Sequence, residues 1–307
     1  MAERYDQLDQ LIDGLFSRAE TPLPETGSEF GPLVRLAADL CALPDPQFKQ
    51  RLKEDLQRRA TPIPAGFRTV TPYLVVPRGD ELIDFMKQAL GAVETMRSGT
   101  PGGFHAEVRI GDSMLMVGSA PSRPPSLAAL QHYVENPDEV YRRALQHGAT
   151  SLQEPTEEHG ERFACVRDPF GNRWYLGRSL GPVYRPQGLN DINLFLHPAG
   201  AARLIDFLGR AFSAETIERH DSPGGVVYHA KLRIGNSVVE MSESHGWWQT
   251  LPTMVFLYVP DADALYQQAL AAGAISLSAP ADLPYGRSAA VTDPVGHQWY
   301  MTTPPSR

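Results

Sequence analysis

The sequence predicts an α+β fold: two tandem copies of one domain, each written βαβββ-βαβββ, behind a small α-helical N-terminal segment. Three observations predict it. The chain repeats itself at a period of about 124 residues, too long for a solenoid unit and the size of a whole small domain. Within each copy, alternating apolar runs are interleaved with runs of helical period. Residues 1–60 carry the helical period alone.

In chain order, Leu8, Leu11, Ile12 and Leu15 open a first helical stripe, and 33–40 form a second. Asp45-Pro46 supplies a cap and a first-turn proline for a third, whose Phe48, Leu52 and Leu56 share one face. This extension, 1–60, is expected to pack on the rest of the protein or on a second subunit. Residues 61–67, with Pro62, Pro64 and Gly66, read as a semi-rigid linker. The copies span 68–179 and 188–303.

In the second copy the pattern gives strands over 192–196, 216–219, 226–234 and 238–242 with a helix over 201–212. It then repeats as strands over 253–259, 275–277, 288–292 and 298–302 with a helix over 262–272. Gly111-Asp112 and Gly235-Asn236 each join two alternating runs as a two-residue hairpin. Gly148 and Gly273 close the second helix of each copy.

Composition excludes several functions. The chain has 307 residues, 42% of them hydrophobic and 21% charged, an ordinary globular balance. With 28 Lys and Arg against 36 Asp and Glu, the net charge of −8 repels a phosphate backbone or an anionic membrane. Neither nucleic acid nor membrane is expected as a partner. Cys41 and Cys165 lack CxxC spacing, so neither a disulfide framework nor a thiolate zinc site is expected. No apolar run is long enough to span a bilayer, and MAERYDQLDQ has mixed charge, so the expected address is cytoplasmic.

The repeated motifs are specific. Phe104-His105-Ala106-Glu107-Val108-Arg109-Ile110-Gly111 returns as Tyr228-His229-Ala230-Lys231-Leu232-Arg233-Ile234-Gly235. Asp168-Pro169-Phe170-Gly171-Asn172-Arg173-Trp174-Tyr175 returns as Asp293-Pro294-Val295-Gly296-His297-Gln298-Trp299-Tyr300. Together with the βαβββ-βαβββ plan, these resemble the vicinal oxygen chelate superfamily of glyoxalase I, extradiol dioxygenases and bleomycin- and fosfomycin-resistance proteins. The resemblance implies two glyoxalase-like domains, each pair of βαβββ modules forming a cupped mixed sheet. The cup is completed by halves of one domain or by exchange between chains. Partners are therefore expected to be a small-molecule ligand and either a homodimer mate or, within one chain, the other domain.

The resemblance also implies where metal ligands would stand: Thr71 and Asn193 on the first strand, Ala129 and Met254 on the fifth, Tyr175 and Tyr300 on the eighth. Methyl, thioether and neutral phenol groups are poor donors to a hard cation, so no metal and no cofactor are expected. A cluster of His105, Glu107 and the loop residue His159 is a weaker metal alternative.

Alternation along the strands assigns the remaining candidates. His229, Lys231 and Arg233 face the concave side, with Glu240 opposite Lys231 across the hairpin. Asn193, Phe195, Met254, Phe256 and Tyr258, with the loop pair Trp247-Trp248, form an expected ligand-binding set in copy two. His229 is the candidate general base, with Lys231, Glu240 and Tyr300 as its companions. Asp168 and Asp293 read as turn formers, and Trp174 and Trp299 as core. Three functions remain open: a metal-free cup that sequesters or carries a partly aromatic molecule, a metal-independent isomerase, lyase or cyclase using His229, and a degenerate scaffold for dimerisation or regulation.

Overall fold

A computed structural model describes residues 63–305. They lie within one of the two compact units into which the chain divides, Ala60–Arg307. The expected helices of 1–60 lie outside the described residues.

Four βαβββ modules follow one another. Module one is β1 Val70–Val76, α1 Gly79–Leu90, β2 Val93–Thr100, β3 Gly103–Ile110 and β4 Ser113–Ser119. Module two is β5 Ala129–Tyr133, α2 Pro137–Gln146, β6 Thr150–Glu158, β7 Glu161–Arg167 and β8 Arg173–Ser179. Module three is β9 Ile192–Leu196, α3 Ala201–Phe212, β10 Glu215–Asp221, β11 Val227–Ile234 and β12 Ser237–Met241. Module four is β13 Met254–Tyr258, α4 Ala262–Ala271, β14 Ile275–Leu283, β15 Gly286–Thr292 and β16 Gln298–Thr303.

Local chemistry sets the helix ends. Asn136 and Asp261 accept hydrogen bonds from the backbone N–H of Glu139 and Ala264, and Pro137 occupies the first turn of α2. Gly148 and Gly273, both at positive φ, follow α2 and α4 as expected. The start of α3 is held differently: both oxygens of Glu243 accept from the N–H groups of Gly200 and Ala201, at 2.6 and 2.7 Å.

The modules form two eight-stranded mixed sheets, but their pairing crosses the copies. Sheet one runs β14-β15-β16-β13-β1-β4-β3-β2, uniting modules one and four. Sheet two runs β10-β11-β12-β9-β5-β8-β7-β6, uniting modules two and three. The expectation that each copy closes its own sheet is therefore corrected: each cup takes one module from each copy, through the antiparallel pairs β1–β13 and β5–β9. Pairing within the chain fills the place that exchange between chains would take.

The hairpin tips explain the crossing. Ser113 Oγ and Asp112 Oδ1 accept from the N–H groups of Ile192 and Asp191, each at 3.0 Å. In the mirrored contact, Ser237 Oγ and Asn236 Oδ1 accept from Val70 and Thr69, at 2.9 and 2.8 Å. Each hairpin thus satisfies the orphan donors at the start of the other copy's first strand. A side chain on Gly111 or Gly235, at φ 55 and 56, would collide with Asp191 or Thr69.

The helices cover the convex faces, where Leu74, Leu82, Phe207, Trp174 and Trp299 are fully buried. Asp168 anchors its tryptophan by accepting from Trp174 Nε1, Asn172 Nδ2 and the N–H groups of Phe170 and Asn172. Asp293 repeats this with Trp299, Val295 and His297. Both are structural turn residues, as expected. No helix among the described residues is long and apolar enough to cross a membrane.

Candidate functional site

The crossed pairing divides the candidate residues between two cups. His229, Lys231, Glu240, Asn193, Phe195, Trp247 and Trp248 belong to sheet two or its adjoining loop, whereas Met254, Phe256, Tyr258 and Tyr300 belong to sheet one. Tyr300 therefore does not share a cup with His229, and the single site expected in copy two is corrected. His105 and Glu107 likewise lie on sheet one and His159 beside sheet two, so the alternative metal cluster is not assembled.

The sheet-one cup is largely filled by the protein. Phe67 turns inward through its N–H to Pro64 carbonyl bond and packs with Met114, Met116, Phe256 and Tyr258. The expected spacer at 61–67 thus contributes a plug. Tyr73 lies 3.1 Å from His105 Nδ1 through its hydroxyl. Burial pushes this phenol up to about 12 and lowers the imidazole, so both are neutral at neutral pH.

The sheet-two cup has an aromatic lobe. Phe195 stacks on His197 at 4.7 Å, and Tyr175 meets Phe195 edge-on at 5.3 Å. From the loop after β12, Trp248 lies 5.0 Å from Tyr175 and 4.9 Å from His197, with Trp247 stacked on it at 3.9 Å. His197 is held by Tyr175 Oη at 2.9 Å and Ser242 Oγ at 2.8 Å. Burial brings its pKa down to about 3, so it serves as a neutral ring.

A charged lobe adjoins it through Phe195, whose ring is 5.9 Å from His229. His229 Nε2 is 3.2 Å from Glu240 Oε2, a diagonal contact from one strand to the next. Glu240 is 4% exposed, and its Oε1 has no hydrogen-bond partner among the described residues. Lys231, opposite Glu240 in register, instead reaches Glu218 at 3.3 Å. Glu161 accepts from Tyr133 Oη at 3.2 Å, and burial, then the charge of Glu240, raises its pKa.

Asn193 faces this cup, but its amide is committed to its own turn. Its Oδ1 accepts from Asn190 N and its Nδ2 donates to Asn190 O. Sequence reading did not single out Tyr133, Glu161 or Arg173, because they come from copy one and join module three only through the β5–β9 pairing. The enclosed cavity at the sheet junction, lined by Ser113, Asn193 and Ser237 among others, is about 20 Å³ and has room for a water at most.

Register also permits a test of metal fit. Residues paired across each module place Met116, Tyr175, Glu240 and Tyr300 at equivalent last-strand positions. Sheet one then offers Thr71, Met116, Met254 and Tyr300; sheet two offers Ala129, Tyr175, Asn193 and Glu240. Glu240 is the one carboxylate in either set, and burial raises the Tyr175 phenol further from ionisation. Neither donor set fits a divalent ion held in the manner of the metal-binding relatives. No group of three or more His, Cys, Asp or Glu side chains among the described residues could hold one.

Comparison with known proteins decides the family. The family model described as Glyoxalase/Bleomycin resistance protein/Dioxygenase superfamily matches residues 67–176. The uncharacterized protein Rv0887c of Mycobacterium tuberculosis is 36% identical over 148 residues, covering 42% of this chain and 86% of that protein. The chain belongs to this superfamily. Mb0911c of Mycobacterium bovis, also uncharacterized, is 36% identical over 116 residues, covering 34% of this chain and 76% of its own. Glyoxalase I from Zea mays superposes with a TM-score of 0.60 at 16% identity, covering 76% of this chain and 92% of that one. A putative dioxygenase from Bacillus subtilis gives 0.54 at 14% identity, covering 77% and 84%. These structural likenesses carry the glyoxalase-like fold; the residues in the cups differentiate its chemistry.

Proposed function

We propose that this glyoxalase-superfamily protein binds a small, partly aromatic organic molecule in the sheet-two cup without a metal, as a cytoplasmic sequestering or carrying protein. The observation that carries the reading is the aromatic lobe of Tyr175, Phe195, His197 and Trp248 beside a buried carboxylate oxygen with no partner. Ring faces supply contact area at low entropic cost, and the carboxylate fixes orientation. The test is a thermal-shift series with 4-methylbenzyl alcohol in EDTA. Concentration-dependent stabilisation is expected in the full chain, with the shift lost in Trp248→Ala. An absent shift, or one unchanged in Trp248→Ala, contradicts the reading.

One observation favours a second reading, a metal-independent isomerase or lyase: the His229 imidazole is oriented by Glu240, an arrangement suited to proton transfer. On that reading His229→Ala abolishes turnover of a bound compound while its affinity stays within a few-fold of the parent. Tyr300 takes no part, because it belongs to the other sheet.

A further inference from the structure

The register of sheet two places four side chains in one transverse row across the cup. Glu240 pairs with Phe195, Phe195 with Ala129, and Ala129 with Arg173. At about 4.8 Å per strand, the ends of the row are roughly 14 Å apart along the sheet, and its curvature brings them closer. Between them stand an aromatic ring and a methyl group, so the middle of the row is apolar and low.

Each end carries a charge that the protein does not neutralise with a partner of fixed opposite charge. Glu240 is buried, and its one charged-capable neighbour within bonding distance is the imidazole of His229. Lys231, the nearby fixed cation, is engaged by Glu218. Arg173 is 8% exposed and donates from Nη1 to the carbonyl of Gln249 at 2.7 Å; no carboxylate lies within ion-pair distance of it among the described residues. Charge buried without a counter-ion is costly, and opposite charges left open at two ends of one cup are complementary to a ligand that brings both. Glu161, on the carboxylate side of the cup, adds to the demand for a cation there.

Resting on the reading of this cup as a binding site, we infer that its ligand is an aromatic zwitterion, with an amino or amidine group directed to Glu240 and a carboxylate or similar acidic group directed to Arg173, its ring lying over Ala129 between Phe195 and Trp248. A neutral aromatic compound would leave both ends of the row unpaired, and a singly charged one would leave one.

The test is a calorimetric titration of the full chain with four compounds sharing one ring: 4-(aminomethyl)benzoate, 4-methylbenzoate, 4-methylbenzylamine and 4-methylbenzyl alcohol. The zwitterion is expected to bind at least about tenfold more tightly than any of the others. Glu240→Gln should bring it to the affinity of 4-methylbenzoate, and Arg173→Met to that of the amine, with melting curves checking that each variant is folded. If the alcohol binds as tightly as the zwitterion, or both variants leave the zwitterion unchanged, the inference is overturned while the cup remains a binding site. If none of the four binds, the binding reading falls together with it.

Discussion

At the residue scale, Glu240 sets function against stability. A buried carboxylate with an orphan oxygen costs free energy, and neutral residues at such positions commonly stabilise the fold. Glu240→Gln should therefore raise unfolding free energy by about 1 kcal/mol in urea titrations while weakening ligand capture. Lower stability in that variant would place Glu240 among the structural residues. Asp168 is its opposite: four donors converge on it, two of them side-chain groups of Asn172 and Trp174. Asp168→Ala should cost several kcal/mol, about 3 or more, because it leaves those buried donors unmet. His229 was legible as a concave-facing imidazole from alternation alone. Its carboxylate partner was legible only as a neighbour of Lys231, since a diagonal contact depends on side-chain reach as well as on register.

At the element scale, the hairpins at Gly111-Asp112 and Gly235-Asn236 were readable as turns but not as clasps. Their Asp, Asn and Ser side chains look like ordinary turn chemistry, and nothing local reveals that they receive the first strand of the other copy. Ser237→Ala leaves the N–H of Val70 without its acceptor and should destabilise the protein by roughly 1–3 kcal/mol. Pairing it with Ser113→Ala, on the mirrored clasp, tests whether the two act as one unit. A sum larger than the separate losses is expected, measured by urea denaturation. The helix α3 was placed correctly over Ala201–Phe212, while β14 extends to Leu283, well beyond the 275–277 expected. Ser278, Pro280 and Asp282 imitate a turn in sequence. On an edge strand, with register shifts at Ser278, they are tolerated because one side of the strand needs no ladder bonds.

At the scale of the whole molecule, the tandem repeat made the fold class legible, but the assignment of modules to cups was not, because both pairings use the same strands and the same alternation. The expected site consequently mixed residues of two cups. Crossed pairing predicts that residues 68–179 expressed alone expose the β1 and β5 edges and self-associate, which sedimentation would show; a stable monomer would contradict it. The buried imidazoles predict acid sensitivity. Burial lowers His132 to about 4 and His197 to about 3, and lowers His297 as well, against an ordinary value of 6.5. The unfolded chain therefore binds protons that the folded one refuses: stability is intact above about pH 6.5 and declines as pH falls toward 4, by roughly 1 kcal/mol per pH unit for each such histidine. Urea titrations between pH 7.5 and 4.5 check the slope. The central claim is that these cups recognise a ligand through ring faces and a few charges, with no ion held at the family's ligand positions. Metal content per chain, measured by plasma mass spectrometry on protein purified without a metal-affinity step, tests it most directly. The account predicts transition metal far below one atom per chain, whereas one tightly held atom per chain, lost in Glu240→Ala, would contradict it.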